Sequence, residues 1–248
     1  MANRFIKSPN LPENDATLCV CSDGYTARLL TARGITVLRT KPTPHTQREV
    51  CLHADMQLCH LGGRKIIADE YQTELASELR LCGFDVEADC SPVPSYPDEI
   101  RFNAAVCGGY LFGLESHLSQ MMRNEAAACG LTQITVRQGY SKCSVCTVTE
   151  RAIITDDAGI ARAAKQVGFD VLEIEKGDIF LSGSHCGFIG GCCGKLSKDT
   201  VAFTGSLDCH RDGERIRAFL HAHGCTALEL SPNRLRDIGG ILPLKEYV

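Results

Sequence analysis

Short apolar runs alternate with amphipathic stretches along the chain, and the same order of segments recurs five times. In each repeat the end of an amphipathic helix precedes a glycine, and a β-rich run follows that glycine. A residue in left-handed conformation commonly ends a helix, and glycine adopts this conformation most easily. The pattern therefore predicts five helices that end at glycines spaced 49, 47, 38 and 56 residues apart, namely Gly34, Gly83, Gly130, Gly168 and Gly224.

Two extended segments precede most of these helices. Immediately before each helix the sequence predicts a short strand, at 17–21, 65–68, 110–114, 152–155 and 201–205. Four of these strands follow a further extended segment, at 53–61, 98–107, 140–148 and 187–196. Repeats of this length indicate one supersecondary unit that is used several times. We therefore predict a unit with the order strand, strand, helix, strand.

The first unit lacks a leading segment, and the C-terminal segment 237–244 is a candidate to supply it. A ring closed in this way leaves no exposed sheet edge, as in radial propellers. The sequence thus predicts a single α/β domain over 1–248, with units at approximately 15–50, 51–95, 96–139, 140–186 and 187–236. The alternative is a doubly wound α/β sheet. Two adjacent strands per helix and the lack of a glycine-rich phosphate loop disfavour that alternative.

Composition and charge are those of an ordinary globular protein. Of the 248 residues 44% are hydrophobic and 23% are charged, which suffices for a sizeable core. The net charge of −4 argues against a nucleic-acid-binding protein, which normally has a basic face. No run approaches the ~20 apolar residues that cross a bilayer, and residues 1–15 lack the apolar core of a signal peptide. We therefore expect a cytoplasmic protein that does not bind membranes.

The 15 cysteines are the unusual feature of the composition. Cytosolic thiols are mostly reduced, so we expect free thiols that pack as small apolar side chains. A structural zinc site needs two close ligand pairs. The chain has one CxxC pair, Cys143 and Cys146, and one HxH pair, His221 and His223. We therefore expect no metal site and no cofactor.

Five motifs along the chain resemble those of an uncharacterised bacterial family. They are HADMQ at 53–57, YPDEIRFNA at 96–104, QGYSKCSV at 138–145, AIITDDAGI at 152–160 and GFIGG at 187–191. The resemblance extends from about residue 15 to 244. That family is assigned to the pentein fold, a five-bladed α/β propeller of strand-strand-helix-strand units. More distantly, the chain resembles the guanidino-group-modifying enzymes of that fold: arginine deiminase, agmatine deiminase and dimethylarginine dimethylaminohydrolase.

The resemblance implies a catalytic set in the central channel of the ring. It gives His53 the role of general acid and base, Asp55 that of a carboxylate that binds a guanidinium, and Cys143 that of the nucleophile. Residues i and i+2 of a strand share a face, so His53 and Asp55 are expected to face the channel together. In the enzymes the cysteine lies two units after the HxD motif, as Cys143 does here. The first unit has no EGGD-like acidic motif, so Asp237 in the closing segment is the candidate for the missing carboxylate.

Other residues of the leading segments are candidates for the same channel. Gln57, Arg101 and Asn103 are expected to bind substrate there or, alternatively, to satisfy strand ends. Cys192 and Cys193 are adjacent, so one of them is an alternative nucleophile. A further alternative is that His53 and Asp55 only pair with each other and that Cys143 is one more buried thiol.

These residue types suit amidino-group chemistry. A thiolate adds to the electron-poor carbon of a guanidine or amidine, a histidine protonates the leaving nitrogen, and water then hydrolyses the covalent intermediate. A nearby Lys142 or a cationic substrate favours the thiolate, and paired carboxylates bind a planar guanidinium through two hydrogen bonds. The sequence therefore predicts a thiol-dependent amidino hydrolase or amidinotransferase that acts on a small cationic guanidino or amidine compound.

Two other functional classes compete with the enzyme. The pentein fold also resembles that of the ribosome anti-association factor of archaea and eukaryotes, a non-catalytic binding protein, and fold alone does not give function. The absent acidic motif favours that class, whereas the HxD motif with a matching cysteine favours the enzyme. The hypothesis of a thiol redox protein or a metal protein is supported by the cysteine count alone. The sequence leaves substrate, oligomeric state and partner open.

Overall fold

A computed structural model describes residues 2–91 and 98–248 of the chain. Tyr96 and Pro97, which open the motif at 96–104, lie outside the described residues. Within the described part, the strands are β1 (Asn3–Phe5), β2 (Ala16–Val20), β3 (Thr36–Leu38), β4 (Leu58–Gly62), β5 (Lys65–Asp69), β6 (Asp85–Asp89), β7 (Ala105–Cys107), β8 (Tyr110–Gly113), β9 (Thr132–Thr135), β10 (Val145–Thr149), β11 (Ala152–Thr155), β12 (Asp170–Glu173), β13 (Cys193–Ser197), β14 (Thr200–Phe203), β15 (Thr226–Glu229) and β16 (Leu242–Tyr247). The α-helices are α1 (Gly24–Thr31), α2 (Ala54–Gln57), α3 (Thr73–Leu81), α4 (Gln120–Ala128), α5 (Ala158–Gln166) and α6 (Gly213–Ala222). None of the described helices is long and apolar enough to cross a bilayer.

The strands form five small sheets, four of which are built from consecutive parts of the chain. These four have the orders β4-β5-β6, β7-β8-β9, β10-β11-β12 and β13-β14-β15. In each, the first two strands pair antiparallel, and the third strand, which follows the helix, pairs parallel with the second. The predicted order strand, strand, helix, strand is therefore confirmed.

The main helix of each unit ends where the sequence predicts it. The five predicted glycines, which follow α1, α3, α4, α5 and α6, have φ between +69° and +92°, the left-handed conformation that ends a helix. On its apolar face α6 fully buries Ile216 and Leu220, which are one turn apart. Burial of one such side chain stabilises the fold by about 1.5–3 kcal/mol. α6 is thus held to its sheet through one apolar face.

The C-terminal strand completes the first unit. β16 pairs antiparallel with β2, with Leu242 opposite Val20, and β2 pairs parallel with β3 after α1. β16 thereby takes the place of the leading strand that the first unit lacks, as predicted, and β1 adds a fourth strand on its other edge. The leading strands β7, β10, β13 and β16 contact one another in that order. The starts of these strands are therefore brought close together.

The leading segments differ from the prediction at their starts. Each predicted segment begins with a turn, and the strands begin only at Leu58, Ala105, Val145 and Cys193. The closing segment 237–244 behaves in the same way, because its strand begins at Leu242. The residues upstream of these strands hydrogen-bond instead within their own turns, as His53 N–H does to the carbonyl of Val50.

This difference corrects the predicted placement of the HxD motif. His53 lies immediately before the helical turn α2, and Asp55 lies within it. The expectation that both residues share one face of a strand is therefore wrong. Cys143 likewise lies in a turn before β10, where Val145 N–H donates to the carbonyl of Lys142. The candidate residues thus come from the turns that precede the leading strands.

Candidate active site

Three of these turns meet at Cys143. Its Sγ lies 2.9 Å from Asp55 Oδ2 and 3.2 Å from Asn103 Nδ2. The three residues come from the turns before β10, β4 and β7, and all three are buried. Residues 40 and 88 positions apart in sequence thus come into contact.

His53 and Asp237 form a second pair of candidate residues. His53 Nδ1 is 3.6 Å from Asp237 Oδ1, which suits an ion pair when the imidazole is protonated. The separation exceeds hydrogen-bond length, and His53 Nδ1 has no hydrogen-bond partner among the residues that the structure describes. Asp237 is held by backbone donors, since Oδ2 accepts from Phe188 N–H at 2.9 Å and Oδ1 from Gly239 N–H at 3.1 Å. The closing segment thus brings a carboxylate to the histidine.

Cys143, His53 and Asp237 line one cavity of about 520 Å³. Its other walls come from the loops on either side, and include Val50, Tyr140, Lys176, Leu181, His185 and Phe188. Asp55 does not line this cavity. It lines a separate cavity of about 20 Å³ together with Lys142. The thiol of Cys143 therefore separates the larger cavity from the Asp55 carboxylate.

Burial and negative charge keep Cys143 in the thiol form. Burial makes the largest contribution to raising the pKa of Cys143 well above its ordinary value, and the carboxylates of Asp55 and Asp237 raise it further. The hydrogen bond from Asn103 lowers this pKa. Burial also raises the pKa of Asp237, while the nearby His53 opposes that rise. The free protein thus holds a neutral thiol, and positive charge in the cavity would favour the thiolate.

Two of the residues predicted to bind substrate make internal contacts instead of lining the cavity. Arg101 donates to Asp69 Oδ2 at 2.9 Å and to the carbonyl of Ser91 at 2.7 Å. Gln57 donates to the carbonyl of Cys51. Neither Arg101 nor Gln57 lines the cavity of about 520 Å³. The structure therefore separates these two residues from the cluster of Cys143.

The alternative nucleophiles are also outside the cavity. Cys192 and Cys193 are buried at the start of β13, and neither lines the cavity. Cys192 donates to the carbonyl of Ile189 at 3.2 Å, and burial raises its pKa well above the ordinary value. The cysteines that do line the cavity, within the described chain, are Cys143 and the partly buried Cys186, which sequence reasoning missed.

Within the described chain, the cysteines are neither paired in disulfides nor grouped as metal ligands. All 15 cysteines are free thiols, as expected, and most of them are buried. Across residues 2–91 and 98–248, no three His, Cys, Asp or Glu side chains come together in a way that could hold a metal ion.

Three glycines allow His53 and Asp237 to pack closely against the backbone. A Cβ atom at Gly191 would lie 2.0 Å from Asp237 Oδ1, and one at Gly187 would lie 2.4 Å from Asp237 Cβ. Gly239 has a φ of +74°, and a Cβ atom there would lie 2.4 Å from His53 Cβ. The glycines of the GFIGG motif and of the closing segment thus mark the site.

Gly191→Ala is expected to destabilise the protein by about 1–3 kcal/mol, because the new methyl group must displace the Asp237 carboxylate. The urea midpoint of unfolding measures this loss. Gly24→Ala is the matched control, since its Cβ would meet only the side chain of Arg39, at 3.3 Å. Equal midpoints for the two variants would contradict the tight packing at Asp237.

Sequence comparison identifies one matching family. The family DUF6873, described as a family of unknown function, matches residues 22–242. None of the curated proteins matches the chain.

Several solved structures share the fold. The inosamine-phosphate amidinotransferase of Streptomyces griseus is 13% identical, with a TM-score of 0.64 over 99% of this chain and 98% of that one. A DDAH mutant of Pseudomonas aeruginosa in complex with citrulline is 10% identical, with a TM-score of 0.57 over 88% and 92%. An amidinotransferase of Microseira wollei from the saxitoxin biosynthetic pathway is 12% identical, with a TM-score of 0.55 over 90% of each chain. Similarity at these identities shows the fold, and it confirms the predicted pentein propeller.

Proposed function

The chain belongs to DUF6873, a family of unknown function, and we propose that it is a thiol-dependent enzyme that hydrolyses or transfers the amidino group of a small guanidino or amidine compound. One geometric observation carries this assignment. Cys143, His53 and Asp237 line one cavity, and Asp55 Oδ2 lies 2.9 Å from the thiol. These residues supply the nucleophile, the acid and base, and the carboxylates that covalent amidino chemistry uses.

The charges at the cavity favour a cationic substrate. Asp237 lies in the cavity wall, Asp55 lies behind the thiol, and both raise the pKa of Cys143. A planar amidinium or guanidinium beside Cys143 offsets these negative charges. Its binding therefore lowers the pKa of the thiol when the electrophilic carbon is in reach.

The first step forms a bond between Cys143 Sγ and the amidino carbon. The thiol proton passes to His53, and the imidazolium gives it to the leaving nitrogen as the carbon–nitrogen bond breaks. Asp237, 3.6 Å from His53 Nδ1, stabilises the imidazolium between these two transfers. The step leaves the amidino group on the sulfur and releases ammonia or an amine.

The second step frees the cysteine. Water, or a second amine in a transferase, attacks the same carbon while His53 accepts its proton, and the bonding electron pair returns to Cys143 Sγ. Water yields a ureido compound from a guanidine or an amide from an amidine, and an amine yields a new guanidine or amidine. A cavity of about 520 Å³ suits a small substrate, since ligand pockets commonly span about 300–1,000 Å³.

A panel of small guanidines and amidines, incubated with the protein with and without a primary amine, tests the proposal. We expect release of ammonia or amine that is matched one to one by a ureido, amide or newly amidinated product in mass spectrometry. Compounds that bind in calorimetry but give no product would contradict the proposal and favour a non-catalytic binding protein.

A further inference from the structure

Asn103 connects the turns of three neighbouring units. It is fully buried in the turn before β7. Its Oδ1 accepts from the backbone N–H of Lys142 at 2.8 Å and of Cys143 at 3.3 Å. Its Nδ2 donates to the backbone carbonyl of Asp55 at 3.2 Å. One amide group thus ties the turn that carries Cys143 to the turn that carries Asp55.

The same amide contacts the sulfur of Cys143. Asn103 Nδ2 lies 3.2 Å from Sγ, and this hydrogen bond lowers the pKa of Cys143, against the effects of burial and Asp55. A donor aimed at a thiolate stabilises the charged form more than the neutral thiol. Asn103 therefore offsets part of the penalty that its surroundings impose on thiolate formation.

Asn103 has no amide atom left for a substrate. Both of its polar atoms are used inside the protein, and the residue does not line the cavity of about 520 Å³. The expectation that Asn103 binds substrate thus has no support from its position. We propose that Asn103 is a positioning residue, which holds the Cys143 turn in place and donates a hydrogen bond to the Cys143 thiolate.

This role rests on the proposed function only in treating the Cys143 thiolate as the reactive species. Asn103→Asp tests it, because aspartate keeps the shape and the acceptor for the two N–H groups but lacks the donor and adds a negative charge. The assay is alkylation of Cys143 by iodoacetamide at about pH 9, below the pKa of the thiol, followed by peptide mass spectrometry. It requires no substrate.

We expect Asn103→Asp to lower the rate of Cys143 alkylation at least about tenfold, which corresponds to a pKa rise of about one unit. The matched control is Asn124→Asp, a change in a side chain that bonds to Gln120 on the surface of α4. We expect the control to leave the rate unchanged. An Asn103→Asp variant that is alkylated as fast as the control overturns the proposal.

A second variant covers the case in which Asn103→Asp does not fold. Asn103→Ser removes the amide donor without adding charge, and we expect it to slow the alkylation of Cys143 as well. An unchanged rate in Asn103→Ser overturns the proposal. The alkylation assay needs no substrate, so it is independent of the guanidine panel. Slower alkylation in the Asn103 variants, together with no product from that panel, would overturn the proposed function and leave the role of Asn103 standing. Once a substrate is known, a positioning role predicts a lower kcat with little change in KM, whereas substrate binding predicts a higher KM.

Discussion

Cys143→Ser is expected to lower the turnover of any guanidino or amidine substrate at least about a thousandfold, as loss of a catalytic nucleophile commonly does. The serine hydroxyl is a much weaker nucleophile than a thiolate. The base available to the serine is the same His53 that serves the cysteine, so it does not compensate for this loss. Product formation by mass spectrometry under single-turnover conditions measures the loss.

The matched control for this experiment is Cys209→Ser, which makes the same change at an exposed cysteine. We expect the control to retain the turnover of the unmodified protein. Comparable turnover in Cys143→Ser would show that the sulfur of Cys143 takes no part in the reaction.

Asp55→Asn is expected to change the reactivity of Cys143 by different amounts toward neutral and cationic reagents. The carboxylate lies 2.9 Å from Sγ and raises the pKa of the thiol, so its removal favours the thiolate. We expect alkylation by neutral iodoacetamide near pH 7 to become at least about tenfold faster, equivalent to one pKa unit. We expect the rate of alkylation by cationic 2-chloroacetamidine to rise less, because the variant lacks the negative charge that attracts the cation.

The ratio of the two alkylation rates is the informative quantity, since the fraction of thiolate cancels in it. We expect the ratio of the amidine rate to the iodoacetamide rate to fall in Asp55→Asn. Asp170→Asn serves as the control, because Asp170 is an exposed carboxylate that pairs with His223 away from the cavity. A ratio that stays the same in Asp55→Asn would show that Asp55 does not attract a cationic substrate.

The repeated architecture was predictable because its signals are local. The main helix of each unit is followed by a glycine in left-handed conformation, and each apolar run is short enough to be a strand. Ring closure followed from one gap in the pattern, which β16 fills. The turns before the leading strands were not predictable in this way, because hydrogen bonds between residues of different units hold them.

The site was only partly predictable for the same reason. His53 and Cys143 lie in recognisable motifs, and Asp237 followed from the missing carboxylate of the first unit. The partner of Arg101 is Asp69, 32 residues away, and no local pattern indicates such a pair. The contacts of Asn103 with Asp55 and Cys143 likewise span three units, so only the folded chain shows them.

Alkylation by 2-chloroacetamidine shows whether Cys143 is a nucleophile that a bound amidine activates. Mass spectrometry compares labelling of each of the 15 cysteines in the folded protein, in the urea-unfolded protein and in His53→Ala. We predict that Cys143 is labelled faster in the folded protein than in the unfolded one, ahead of the other cysteines, and that His53→Ala loses this preference. Labelling of Cys143 no faster than in the unfolded protein would show that the folded site does not activate Cys143 toward an amidine.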